Sequence, residues 1–168
     1  MTVWNVDKNA AAKTMVITAE FTASIAHVWR LWADPRLLDR WWGPPGYPAT
    51  FEQHDLTPGG TITYFVSGPD GGDRVEGTWN VVEVNAPKRL VVEDAIVDAD
   101  GTPSDGNSMT RMEIDLEAAG EKTRMILTTH FDSVEGMEQA IAMGVEEGMK
   151  ACMSQIGALL PDIAAQVS

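Results

Sequence analysis

Four polar side chains carry chemistry that could serve a ligand or a reaction: His54, Asp94, Arg111 and His130. Each falls in a segment with strand character. One that faces a covered hollow would act there as an acid or base, or would hold the polar group of a ligand. Glu93, beside Asp94, belongs with them if the strand parity runs the other way. The histidines, His27 included, lie in separate elements and show no H-x-x-x-H or H-E-x-x-H spacing, so no metal site is expected. There is no G-x-S-x-G, P-loop, C-x-x-C, or G-x-G-x-x-G ahead of a helix, and therefore no assigned catalytic set and no expected cofactor. "GPPGY" at 43–47 cannot cradle phosphate, because its prolines lack amide donors.

The apolar surroundings are more distinctive. Trp29, Trp32, Trp41 and Trp42 crowd two short segments, and such aromatics usually anchor helices too short to hold themselves. Adjacent helical residues point about 100° apart, so at most one of Trp41 and Trp42 is expected to face squarely inward, with one near the mouth of a cavity. Tyr64, Trp79, Met112 and Met125 are strand residues placed to line the same hollow. The last helical stretch adds Met137, Ile141, Gly144, Gly148 and Met149. Each interior helical glycine costs about 1 kcal/mol relative to alanine, so Gly144 and Gly148 ask for a reason: close approach of a strand, or room for a ligand. Methionines suit adaptable linings.

The elements that position these residues follow from periodicity. "KTMVITAEF" (13–21) alternates as a strand, with Met15, Ile17, Ala19 and Phe21 on one face. Thr22 or Ser24 caps a short helix over "SIAHVWRLWADP", and Pro35 opens a second that Gly43 to Gly46 stops. Strands follow at "PATFEQHDL", "TITYFVS", "RVEGTWNVVEV", "RLVVEDAIVD", "MTRMEIDLE" and "TRMILTTHF". In "MTRMEIDLE", Met112, Ile114 and Leu116 oppose Arg111, Glu113 and Asp115, which predicts one wet face. One long helix is expected from Ser133 to Leu160, ended by Pro161, with an apolar stripe made to lie across a sheet. Residues 1–12 read as an arm anchored by Trp4, and 161–168 as a tail.

The 168 residues suit one domain with a single core, and no repeat or linker argues for a second. Twenty-five acidic against 12 basic side chains leave a net charge of −13, which disfavours nucleic acid and anionic membrane surfaces as partners. One cysteine, Cys152, excludes an intrachain disulfide, and the N-terminus lacks a signal-peptide pattern, so a cytoplasmic protein is expected. The Trp4 arm and a free sheet edge offer contacts for a homodimer.

The order of "VWRLWADPRLLDRWWGPPGY", "PGGTITYFV", "GTWNVVEVNAPKRLVVED", "TRMILTTHF" and "GMKACMSQIGALL" resembles the SRPBCC (START-like) superfamily, in the branch similar to the C-terminal domain of the heat-shock protein 90 ATPase activator. Met149 departs from that pattern, in which many members carry Trp. The resemblance implies an α+β helix-grip fold: a curved antiparallel sheet around a long C-terminal helix, with two short helices after the first strand and often a cavity between sheet and helix. It implies no chaperone-engaging domain, which the eukaryotic activator carries separately and for which this length leaves no room. The function expected first is binding of a small hydrophobic ligand. The alternatives are a cyclase, dehydratase or hydrolase using the same pocket, and a stress-response or chaperone-associated interaction protein with a filled core.

Overall fold

The computed structural model describes residues 3–43, 46–68, 74–97, 110–142 and 144–166. Eight strands form one antiparallel sheet: β1 (Val3–Asn9), β2 (Thr14–Phe21), β3 (Ala49–His54), β4 (Thr61–Ser67), β5 (Arg74–Asn85), β6 (Arg89–Val97), β7 (Thr110–Ala119) and β8 (Lys122–His130). Their order is β1-β2-β8-β7-β6-β5-β4-β3, so β3 to β8 run as a meander and β2 closes against its last strand. Between β2 and β3 come α1 (Ile25–Ala33) and α2 (Pro35–Trp41), which carry the chain from one side of the sheet to the far edge. Register shifts at Phe51/Gln53 in β3 and Val81/Glu83 in β5 are bulges, which bend and twist the strands that hold them. The result is the helix-grip fold.

Strand alternation decides the faces. In β2 the residues Met15, Ile17, Ala19 and Phe21 are buried, in β7 Met112, Ile114 and Leu116, and in β8 Met125 and Leu127. They form one continuous apolar face because the pairings Ile17↔Leu127, Ile114↔Leu127 and Val92↔Met112 keep inward residues opposite inward residues.

Asp34 links the two short helices. It is the C-cap of α1 and also the N-cap of α2, where its Oδ1 accepts from Arg36 N at 2.9 Å, and Pro35 occupies the first turn, where no amide is needed. Ser24 caps α1 through His27 N. The short α2 is fastened to β3 on both sides of one residue: Arg36 Nη2 donates to Phe51 O and Phe51 N donates to Asp39 Oδ1, each at 2.6 Å.

Three sequence expectations are corrected. Residues 3–9, expected to be an arm, form the edge strand β1, paired with β2 from Val3↔Glu20 to Asn9↔Thr14. The expected single helix is three: α3 (Val134–Ala142), α4 (Val145–Met153) and α5 (Ile156–Gln166). Gly144 adopts φ +92°, a left-handed conformation that no helix continues through, and it becomes the N-cap of α4. A second break follows Ser154, where Gln155 N turns back to Cys152 O at 3.2 Å. Pro161 does not end the chain's helical course but lies within α5. It removes one amide, and burial of Ile156, Leu159 and Leu160 holds the helix regardless. Ser133 caps the start of α3, its Oγ accepting from Gly136 N at 2.9 Å. No helix among the described residues is long and apolar enough to cross a membrane.

Candidate functional site

An aromatic cluster joins the short helices to the strands at the β3 side of the sheet. Trp32 meets Trp41 edge-on with ring centroids 4.9 Å apart, and Trp42 meets Trp79 in the same way, also at 4.9 Å. Phe51 stacks on Tyr64 at 5.0 Å, and Tyr64 lies 5.7 Å from Trp79. Edge-to-face contacts of this kind add to the gain from burial. Both Trp41 (0% exposed) and Trp42 (8%) are covered. The 100° between them is filled on both sides: Trp41 Nε1 donates to Leu31 O of α1 at 2.9 Å, while the Trp42 ring turns to Tyr64 and Trp79.

The turn that follows is clamped from the C-terminal helices. Cys152 Sγ donates to Trp42 O at 2.7 Å, and Gln155 Nε2 donates to Gly43 O at 2.7 Å and Trp41 O at 3.2 Å. These carbonyls end α2 and have no helical partner of their own. Gly43 is required here, since a Cβ would lie 2.0 Å from Tyr47 O. Burial pushes the Cys152 thiol up to about 12, which makes it a packing group and not a nucleophile.

Within the aromatic cluster sits one carboxyl. Asp94 follows Leu90 and Val92 on the inward face of β6 and pairs across to Trp79 of β5, which pairs in turn with Ile62 of β4. Tyr64 reaches it from β4: its hydroxyl donates to Asp94 Oδ1 at 3.3 Å. Gly77 makes that reach available, since the Tyr64 ring lies directly on it and a Cβ at position 77 would come within 2.3 Å of the ring. Burial pushes the Asp94 carboxyl up from 3.8 to about 7, against the pull of Tyr64 and Trp79. Burial also raises the Tyr64 hydroxyl, with the Asp94 charge adding to it. Trp79 Nε1 is close enough to favour the Asp94 charge, yet it is fully buried and meets no acceptor in hydrogen-bond geometry among the described residues. An unsatisfied buried N–H is uncommon and costly.

The other polar candidates do not join Asp94. Arg111 is exposed on the outer face, because in β7 it alternates with the inward Met112. His130 faces the same outer side and contacts Glu113, which also takes Arg89; Arg89 spans Asp115 with bonds of 2.7 and 2.9 Å. Burial opposes the Glu113 charge, but the bonds from Arg89 and His130 outweigh it and hold the carboxyl below its usual range. His54 is half-buried at the end of β3, its Nε2 lying 3.2 Å from Trp32 O of α1. Both Arg111 and His130 are thus removed from the site by strand parity, and His54 is committed to a helix end. No group of His, Cys, Asp and Glu among the described residues could hold a metal ion.

The apolar candidates divide. Trp32, Trp79, Met112, Met125 and Met137 are core residues, and Trp32 Nε1 donates to Met125 Sδ at 3.4 Å. Ile141 and Met149 are half-buried against that core. Gly144 is the break between α3 and α4. Gly148, one turn before Cys152 on α4, has open space: a Cβ there meets no neighbouring atom within 4 Å among the described residues. Met153 is buried; Met143 lies outside the described residues. Sequence reasoning missed the role of Gly77 and the Gln155 clamp. The signal for Gly77 was a glycine two residues before an inward tryptophan, where strand alternation demands a side chain.

A family model described as "Activator of Hsp90 ATPase homolog 1-like protein" matches residues 22–161. Among solved structures, a protein from Arthrobacter aurescens is 42% identical with a TM-score of 0.90, covering 94% of this chain and 91% of its own. One from Mycobacterium smegmatis is 36% identical at TM-score 0.86, covering 95% and 97%. The AHSA1 protein of Silicibacter pomeroyi, at 21% identity and TM-score 0.71 over 88% and 97%, shares the fold. Comparison with curated proteins gave no match.

Proposed function

Because the chain belongs to the Activator of Hsp90 ATPase homolog 1-like family, we propose that it is a binding protein for a small hydrophobic molecule, held between the inward face of the sheet and the α3–α4 segment. The observation that carries this reading is the open space at Gly148. That glycine is half-buried and stands one turn from Cys152, whose thiol reaches Trp42 O, so a side chain added there would point to the aromatic cluster's side of α4. A helix interior that keeps a costly glycine beside unfilled room is what a ligand site requires. The lone, buried Cys152 fits a reducing compartment, and the same reading puts the protein in the cytoplasm.

Native mass spectrometry of gently purified protein, paired with extraction of bound small molecules, tests the reading. A reproducible apolar adduct that disappears in Gly148→Leu is the expected result. A mass that stays that of the bare chain after incubation with mixed lipids and polyketides overturns it.

One observation favours a second reading, proton transfer on a molecule bound in the same place. Asp94 changes charge near neutrality, where a general acid or base works best. Turnover of an extracted ligand that stops in Asp94→Asn would move the assignment from carrier to enzyme.

A further inference from the structure

Resting on that reading, we propose that Asp94, Tyr64 and Trp79 form the polar end of the ligand site, and that the ligand class is an apolar molecule bearing a hydroxyl group. Around them Phe51, Ile62 and Val92 are apolar and buried, and Trp42 adds an indole N–H on the Tyr64 side. Two needs remain at this spot. Trp79 Nε1, with no exposure, meets no acceptor in hydrogen-bond geometry among the described residues. Asp94, half-buried, takes from Tyr64 a bond of 3.3 Å, well beyond the ordinary O–H···O distance.

The chemistry of the two needs selects the group. A ketone or ether oxygen accepts from Trp79 but gives nothing to the ionised Asp94 carboxylate. An ammonium group donates to Asp94 but cannot accept from Trp79. A hydroxyl does both with one oxygen, donating its hydrogen to the carboxylate and accepting from the indole. Tyr64 already models this role in part, as a phenol that donates to Asp94 from above Gly77. A ligand hydroxyl would add its own bonds to Asp94 and Trp79 beside that of Tyr64.

Equilibrium binding of a naphthalene series to the full chain at pH 8, where Asp94 is largely ionised, tests this, read by quenching of tryptophan fluorescence and confirmed by calorimetry. The probes are naphthalene, 2-naphthol, 2-methoxynaphthalene and 2-naphthylmethylamine. The expectation is that 2-naphthol binds about tenfold or more tightly than naphthalene and the methyl ether, although it is the less hydrophobic ligand. Asp94→Leu should abolish that preference while leaving naphthalene affinity within about twofold, and Tyr64→Phe should preserve it. The wild-type series carries the test even if a variant fails to fold. Equal binding of naphthol and naphthalene, with both lost in Gly148→Leu, overturns the hydroxyl and leaves the apolar site standing. Preference for the amine overturns it in favour of a cation site. Binding of no probe overturns both this inference and the reading on which it rests.

Discussion

The ring of Tyr64 packs against Gly77 on the next strand, so close that a Cβ at position 77 would sit 2.3 Å from its Cζ. That contact is how a side chain of β4 passes over β5 and delivers its hydroxyl to Asp94 on β6. Gly77→Ala therefore forces the Tyr64 ring aside. The expected cost is about 1–3 kcal/mol in urea unfolding, since overpacking against a rigid backbone cannot relax locally. In a Tyr64→Ala background the same change should cost far less. If the two effects simply add, the ring does not depend on the glycine.

The Asp94 carboxyl gives a sign-specific pH dependence. Its folded value of about 7 stands above 3.8, so between those limits the folded chain holds more protons than the unfolded one, and stability falls as pH rises from about 4 to 7. Asp94→Asn removes this loss. The variant should be more stable than the parent at pH 8 by about 1–2 kcal/mol, after allowance for the partial exposure of Asp94, and no more stable at pH 4. Melting curves across that range decide it; a variant that is less stable at pH 8 would mean that the carboxylate is well satisfied. Glu113 works in the opposite sense. Its lowered value contributes stability above its unfolded range that is lost on acidification, so Glu113→Gln should flatten the acid limb alone.

How far the sequence discloses this site depends on the kind of constraint. Periodicity was enough for β2 to β8, for the inward set Met112, Ile114 and Leu116, and for the two helices that meet at Asp34, because each is a local pattern of apolar residues and caps. It also brought Trp42, Tyr64, Trp79 and Asp94 forward as residues worth watching. Which polar residue faces inward is a matter of register: a shift of one position exchanges Asp94 for Glu93 and Met112 for Arg111, and only the pairing across strands fixes it. The long-range ties were illegible for another reason. Lys8 Nζ reaches Glu146 at 2.6 Å and Gln155 reaches Gly43, contacts between segments more than a hundred residues apart. Residues 3–9 look like an arm because an edge strand needs only a partner's free edge, not a pattern of its own.

Cys152 and Gln155 hold the turn after α2 from opposite ends of one short stretch, and the two should fail differently. Gln155→Ala leaves the carbonyls of Gly43 and Trp41 without their side-chain donor and should cost about 1–2 kcal/mol, with a change in tryptophan emission as the cluster loosens. Cys152, pushed up to about 12 by burial, should resist a thiol reagent at pH 8 in the folded protein and react fully in urea. Rapid labelling without denaturant would show that α4 lifts away from Trp42 in solution.

Gly144 and Gly148 stand one turn apart and should respond to alanine with opposite signs. At Gly144 the backbone is at φ +92°, where any Cβ is strained, so Gly144→Ala should destabilise by about 1–2 kcal/mol although space surrounds it. At Gly148 the backbone is helical and a methyl group meets nothing, so Gly148→Ala should stabilise by up to about 1 kcal/mol through helix propensity. A stability gain at position 148 that comes with weaker retention of apolar probes would give the reason for its glycine: the room beside α4 is kept for a ligand at the expense of the helix. If Gly148→Ala raises stability and Gly148→Leu leaves probe binding unchanged, the room serves no ligand. The two variants, measured by chemical unfolding and by probe titration on the same preparations, separate a site from a mere gap.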